Sequence, residues 1–320
     1  MNRAIPFLLA LCALLTVSGC AFVTIPLTPR PSPLDEEVLE GDGAKKILLL
    51  DISGTISEQE KRGGLVGSSS PSTVSLIRES LQKAEKDDRI AGVILRIDSP
   101  GGSVTASDII HHDILEFKRR RRIPVHACIM GVGASGGYYA AAAADRIIAH
   151  PTAITGSIGV ILMKFNLAGL LGKLGVEEQT VKSGDKKDIF SLFRRATPEE
   201  EKLAQEIIDQ MHGRFLDVVM ERPGNRLSRE ELSRLADGRI YTARQALQAG
   251  LIDGTGYLDD VISGMRRQIR DEKARVVSYY RPGAYLGSIY DSGEAKSGLA
   301  GMLGGVNGSF GGSFMYLWQP

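Results

Sequence analysis

Pro124-Val125-His126-Ala127-Cys128-Ile129-Met130 runs straight into Gly131-Val132-Gly133-Ala134-Ser135-Gly136-Gly137-Tyr138-Tyr139, and then into a run of alanines ending at Ala144. The first part, β-branched and apolar behind a proline, predicts a buried strand. The glycines predict a tight turn, and the small residues from Ser135 to Ala144 predict a helix that packs closely on its neighbours. Working outward, Lys46 to Ile52 reads as a buried strand centred on Ile47-Leu48-Leu49-Leu50, Ser72 to Lys86 as a helix, and Ile90 to Ile97 as a second strand. Val104 to Lys118 is helical again, and Arg146 to Ala149 is a short strand. This alternation predicts an α/β fold with a mostly parallel sheet and helices on its faces.

Beyond it lie a glycine-punctuated segment from Thr155 to Gly159, a charged loop from Lys182 to Asp188 and a long helix from Pro198 to Met220. Gly238 to Thr242 reads as a short strand. Thr242 then caps a helix from Ala243 to Ala249, which Gly250 ends.

The 320 residues are 43% hydrophobic and 24% charged, enough to bury one sizeable core. With 39 basic against 38 acidic residues, no excess positive field exists to hold phosphates, which argues against a nucleic-acid partner. The basic run Lys118-Arg119-Arg120-Arg121-Arg122 reads as a solvated helix end favoured by the helix dipole.

Both ends are expected to lie outside this fold. Arg3 followed by an apolar run from Ile5 to Val17 has the shape of a secretory signal, too short to span a bilayer comfortably. Its ending, Val17-Ser18-Gly19-Cys20, resembles a bacterial lipobox. That makes residues 1–19 a signal peptide and Cys20 a lipidation site, whose acyl chains would anchor the protein to a bacterial membrane on the extracytoplasmic (periplasmic) side. Residues 20–43, with four prolines from Pro26 to Pro33, read as a tether. The domain then runs over 44–282. Residues 283–320 are glycine- and serine-rich, end in the apolar Phe314-Met315-Tyr316-Leu317-Trp318, and are expected to be poorly ordered on their own. Of the cysteines, only Cys128 falls inside the domain, as a buried, inert thiol.

Two glycine-rich turns follow consecutive strands: Asp98-Ser99-Pro100-Gly101-Gly102-Ser103, and the turn that ends at Ser135. In open α/β sheets, chemistry sits at the carboxyl ends of strands, so both turns are expected at one site. A serine that opens a helix amid small residues suits a nucleophile. The backbone N–H groups of Gly102 and Gly136 are the natural oxyanion donors. The hydroxyl needs a base. Gly133-Ala134-Ser135-Gly136-Gly137 matches the G-x-S-x-G elbow, which calls for a histidine. Yet His150 has no acidic neighbour in sequence, His212 lies in a charged helical stretch, and His111 and His112 precede the serine on a helix. A lysine is the alternative, with Lys182, Lys186 and Lys187 all open as candidates. At pH 7 only about one unperturbed lysine in a few thousand is neutral. Burial would have to lower its pKa by about 3 units, roughly 4 kcal/mol.

Taken together, Arg96-Ile97-Asp98-Ser99-Pro100-Gly101-Gly102, Ala134-Ser135-Gly136-Gly137-Tyr138-Tyr139, Thr155-Gly156-Ser157-Ile158-Gly159-Val160, Lys182 to Ile189, and Asp237 to Thr242 with Gly250 to Asp253 resemble peptidase family S49, the signal peptide peptidase A proteins, in their short lipid-anchored form. The resemblance implies a Clp-protease/crotonase-like fold and a Ser–Lys dyad. By motif, Ser135 is the nucleophile, Lys187 the base, Ser157 the residue orienting that lysine, and Gly102 and Gly136 the oxyanion hole. It further implies a membrane-facing homo-oligomeric ring that cleaves remnant signal peptides and other apolar peptides, preferring small or apolar side chains, with no metal or cofactor. As a hypothesis, the apolar tail reaches such a site and is trimmed there. Two rivals remain: a crotonase-type acyl-CoA enzyme, and a catalytically silent membrane-tethered scaffold that binds peptides.

Overall fold

Apolar residues alternate sides along every central strand, and this places two cores against one sheet. In Lys46–Ser53 (β2, after Asp35–Glu40, β1), Leu48, Leu50 and Ile52 face one core while Ile47 and Leu49 face the other. The computed structural model describes residues 33–60, 71–281, 288–291 and 314–318. The expected signal peptide, Cys20 and most of the expected tether lie outside them.

The first helix among the described residues is Thr73–Glu85 (α1), followed by Ile90–Ser99 (β3), Gly101–Ser103 (β4), Val104–Arg121 (α2) and Val125–Ala134 (β5). Next come Gly136–Ala141 (α3), Arg146–Ala149 (β6), Ile154–Gly156 (β7), Ile161–Leu162 (β8) and Ala168–Lys173 (α4). The rest is Pro198–Glu221 (α5), Arg229–Leu235 (α6), Ile240–Thr242 (β9), Ala243–Gln248 (α7), Gly254–Thr255 (β10), Leu258–Ile269 (α8), Arg275–Tyr280 (β11) and Phe314–Leu317 (β12).

The main sheet runs β1-β11-β2-β3-β5-β6-β10, and every pairing in that path is parallel except β1 with β11. One core packs Ile77 and Leu81 of α1 and Ile110, Ile114 and Phe117 of α2 against it; the other packs Leu258, Val261, Ile262 and Met265 of α8. Cys128 sits in the second core, fully buried, where desolvation pushes its thiol up to about 12. It is inert there.

Local signals explain the helix starts. Ser72 accepts from the Ser75 N–H, and Thr197 forms a capping box with Glu200 ahead of Pro198. The basic run closes α2, with Arg122 in the left-handed conformation just past its end, as the dipole argument expects. It is only partly solvated, however. Arg121 donates to the carbonyls of Ala84, Glu85, Asp87 and Ile90, and Lys118 pairs with Asp145.

Several boundaries differ from the sequence expectation by two or three residues, and three differ by more. Asp35–Glu40, inside the expected tether, is a strand because β11 offers it an open edge, so the fold begins ahead of residue 44. β5 continues past Met130 to Ala134, because its second half pairs with β7. The apolar end of the expected loose tail forms β12, between β4 and β8 in a small antiparallel sheet, with Tyr316 fully buried. Among the described residues, no helix is long and apolar enough to cross a membrane.

Candidate active site

The carboxyl ends of β3 and β5 meet at Ser135. The residue has φ 53° and ψ −116°, a backbone conformation that costs a non-glycine residue roughly 1–3 kcal/mol unless its surroundings hold it. They do: the Ser135 N–H donates to the Gly156 carbonyl (2.7 Å), and its own carbonyl accepts from the Tyr139 N–H (2.9 Å). The side chain is buried, yet its Oγ has no hydrogen-bond partner among the described residues. A buried hydroxyl left unpaired in this way is costly to a fold and useful to a reaction.

Glycine permits the close approach around it. A Cβ on Gly136 would stand 2.4 Å from Ser107 Oγ and 3.2 Å from the Gly102 nitrogen; a Cβ on Gly101, whose φ is +99°, would stand 2.6 Å from the Gly136 nitrogen. The nitrogens of Gly102 and Gly136 therefore close on one spot beside Ser135. Gly101 O and Ser103 N are both bonded to Ile56, so alternation along β4 turns the Gly102 N–H to the opposite edge. That edge is the one β12 occupies, with Tyr316 directly opposite Gly102.

Ser157 follows the carbonyl that anchors Ser135. It has φ 49°, and its N–H donates to the Arg239 carbonyl. Thr155 Oγ1 donates to Gly133 O, so this turn is bolted to the end of β5.

The lysine is elsewhere. Lys187 lies in a turn outside the sheet with its N–H on the Gly184 carbonyl; its side chain is exposed, with no hydrogen bond or ion pair among the described residues. Lys182 and Lys186 are paired, with Asp188 and Glu199. The turn hangs on Arg194, which bridges Asp188 to Glu200 at the start of α5. Arg194 holds both carboxyls low, Glu200 down to about 2. The fold thus brings together Ser135, Gly102, Gly136 and the Ser157 turn, and leaves Lys187 unjoined to the serine.

No histidine among the described residues bonds Ser135 Oγ either. His150 Nδ1 is taken by Thr152 Oγ1, the buried Nε2 of His212 has no partner there either, and His111 sits edge-on to the ring of Tyr139.

The Peptidase family S49 model matches residues 117–270, a span that carries Ser135, Ser157 and Lys187, and the Clp protease model matches residues 60–155. A candidate signal peptide peptidase SppA of Enterococcus faecium is 35% identical over 245 residues, covering 77% of this chain and 70% of that protein. The chain belongs to peptidase family S49. It is a serine peptidase of the signal peptide peptidase A family with a Clp-protease-like α/β fold. A candidate protease of Synechocystis is 36% identical, covering 68% of this chain and 72% of that one. Protease 4 of Haemophilus influenzae is 30% identical over 72% of this chain, which spans 36% of that protein's length. Among solved structures, a point mutant of ClpP1 from Listeria monocytogenes superposes with a TM-score of 0.43 at 18% identity, covering 66% of this chain and 92% of that one.

Next to the helix that Ser135 opens lies a buried aromatic cluster of Tyr139, Phe215 and Tyr316 that the sequence does not announce. Tyr139, four residues past Ser135, sends its hydroxyl to Asp108 on α2, which also accepts from Arg214 on α5. Phe215, next to Arg214, lies 4.9 Å from the Tyr139 ring. The Tyr138-Tyr139 pair after Gly-Gly was the visible signal; the contribution from α5 was not visible, because it comes from chain far away in sequence.

Proposed function

We propose that this peptidase cleaves apolar peptides, remnant signal peptides among them, at a bacterial membrane through a Ser135–Lys187 dyad. The observation that carries the reading is the unpaired, buried Ser135 hydroxyl on its strained elbow, with the Gly102 and Gly136 nitrogens closing on one spot beside it.

In the reaction, the neutral Lys187 amine takes the Ser135 proton as Oγ attacks the scissile carbonyl carbon. The resulting oxyanion accepts from the Gly102 and Gly136 N–H groups, where losing one donor typically costs about 3–4 kcal/mol. The lysine passes its proton to the leaving amine, and an acyl-enzyme remains. Water, deprotonated by the same amine, then releases the acid and restores the serine. Ser157 orients the lysine.

Lys187 must come to the serine. The segment that bears it exposes Phe165, Leu170, Leu174, Val176, Val181 and Phe193, and α4 buries no side chain. A homo-oligomeric ring would cover this surface and present Lys187 of one subunit to Ser135 of the next. Burial at that contact would supply the desolvation a neutral lysine needs. Lipidation at Cys20 would hold the ring on the membrane.

The test is turnover of an apolar fluorogenic peptide by detergent-solubilised protein. Ser135→Ala and Lys187→Ala should each be inactive with folding intact, and co-assembly of the two variants should restore part of the activity. Full activity in Lys187→Ala would remove the lysine. A dead mixture would place the dyad within one subunit. Peptide binding without turnover in the wild type would favour the scaffold reading.

A further inference from the structure

Ser99 stands between the two turns that carry Gly102 and Gly136, and the proposed chemistry gives it no part. It is fully buried at the end of β3. Its Oγ donates to the Gly54 carbonyl at 2.6 Å and accepts from the Gly101 N–H at 3.1 Å. Pro100 lies between the two residues that this second bond joins, with its φ fixed and no N–H to compete for the hydroxyl. The result is a serine turn closed over a proline, at the entry to the Gly101-Gly102 pair.

The direction of the Gly102 N–H follows from two peptide planes that meet at Gly101. In a trans peptide the C=O and the following N–H point opposite ways. The Gly101 carbonyl accepts from the Ile56 N–H at 2.8 Å, so the Gly102 N–H is turned away from Ile56. The other plane carries the Gly101 N–H, which Ser99 Oγ holds. Glycine at φ +99° offers little steric resistance to a swing of either plane, so these hydrogen bonds do the locking. Ser99 governs the Ile56 side as well. The Gly54 carbonyl that it holds lies two residues before Ile56, and the Gly54 N–H returns to the Asp98 carbonyl at 3.0 Å. The second donor is set against the same residue: a Cβ on Gly137, next to Gly136, would stand 2.7 Å from the Ser99 carbonyl oxygen and 3.3 Å from its Cβ.

We propose that Ser99 is a positioning residue for the peptidase reaction: its hydroxyl locks the Gly101 turn so that the Gly102 N–H meets the developing oxyanion together with the Gly136 N–H. The aim of a donor matters most once the scissile carbonyl oxygen has become an oxyanion. Loss of the lock therefore falls on the transition state rather than on peptide binding. The inference rests on Ser135 as nucleophile and Gly102 as oxyanion donor, whichever group serves as base.

The test compares Ser99→Ala and Ser99→Cys with the wild type in turnover of an apolar fluorogenic peptide. Cysteine fills nearly the same space with a weaker hydrogen-bonding group, which covers the case in which alanine harms folding. At a temperature where circular dichroism shows the chains folded, kcat is expected to fall at least about tenfold in Ser99→Ala and by less in Ser99→Cys, with KM within about twofold. A peptide boronic acid supplies the second readout. Its boron takes the Ser135 oxygen as a fourth ligand while the serine proton goes to the base, leaving an anionic tetrahedral adduct. Its affinity should fall in step with kcat. The uncleaved fluorescent peptide, titrated by anisotropy into the same variants carrying Ser135→Ala, should bind as it does to Ser135→Ala alone. A residue that serves stability alone would lower the melting temperature and leave kcat and boronate affinity unchanged, and that result would overturn the proposal. So would a rise in KM at constant kcat, or two variants that do not fold. Wild-type kcat in Ser99→Ala, with Ser135→Ala dead, removes the positioning role alone. Turnover that survives Ser135→Ala removes the active-site reading, and this proposal with it.

Discussion

Gly136 packs so closely on Ser107 that a Cβ on the glycine would stand 2.4 Å from the serine Oγ. Ser107 is itself buried and donates to the Ser103 carbonyl, so it has little room to retreat. Gly136→Ala should therefore destabilise the domain by about 1–3 kcal/mol through overpacking. Urea denaturation checks this, and Ser107→Ala added to Gly136→Ala should recover part of the loss. An unchanged midpoint in the single variant would show that the contact relaxes freely.

The Ser135 elbow makes the opposite prediction for stability. Its φ of 53° with ψ of −116° suits glycine, so Ser135→Gly should remove turnover while raising thermal stability by about 1 kcal/mol. Peptide hydrolysis and a melting curve measure both. A less stable Ser135→Gly would mean that the side chain contributes packing that the unpaired hydroxyl conceals.

Acid should act through His111. Burial lowers its pKa from 6.5 to about 4, against the opposing pull of Asp108, with Arg214, Lys118 and His112 adding to the depression. The unfolded chain then binds the proton first, so stability falls as pH drops from about 6.5 to about 4 and levels off below. The shift corresponds to roughly 3 kcal/mol. Melting temperature against pH for His111→Phe should be flatter across that window. A parallel curve would show that other groups dominate.

A second acid response belongs to Arg194. It holds the Asp188 and Glu200 carboxyls below their ordinary range, so this contribution is present above about pH 4.5 and is lost as pH falls towards 2. Arg194→Met should weaken the dependence, leaving the smaller part that Lys182 supplies at Asp188 and Thr197 at Glu200. Because Lys187 sits beside Asp188, the variant should also lower kcat with little change in KM, since the base is misplaced while the groove is intact. A rise in KM alone would place the network at the groove instead.

Much was legible in the sequence because it is local. Strand periodicity placed β2, β3, β5 and β6 to within a few residues, and the two glycine turns were expected at one site because both follow adjacent strands of a parallel sheet. The three boundary misses share a cause. Asp35–Glu40 is acidic and Phe314–Leu317 follows a glycine-rich run, so neither reads as a strand until an edge accepts it. Gly131 and Gly133 argue against a strand until β7 pairs with the end of β5.

What the sequence by itself determined is the chemistry attached to neighbours in the chain: the strand–Ser135–helix turn, its flanking glycines and the family motifs in their order. Only the tertiary structure decided the partners that meet across long separations. It set Gly136 against Gly102 and Ser107, put Tyr139, Phe215 and Met211 around Tyr316, and left Lys187 exposed and apart from the serine. Hydrophobic periodicity encodes which face of an element is buried, whereas the identity of what covers that face depends on how the sheet closes and on edge hydrogen bonds that any backbone can supply.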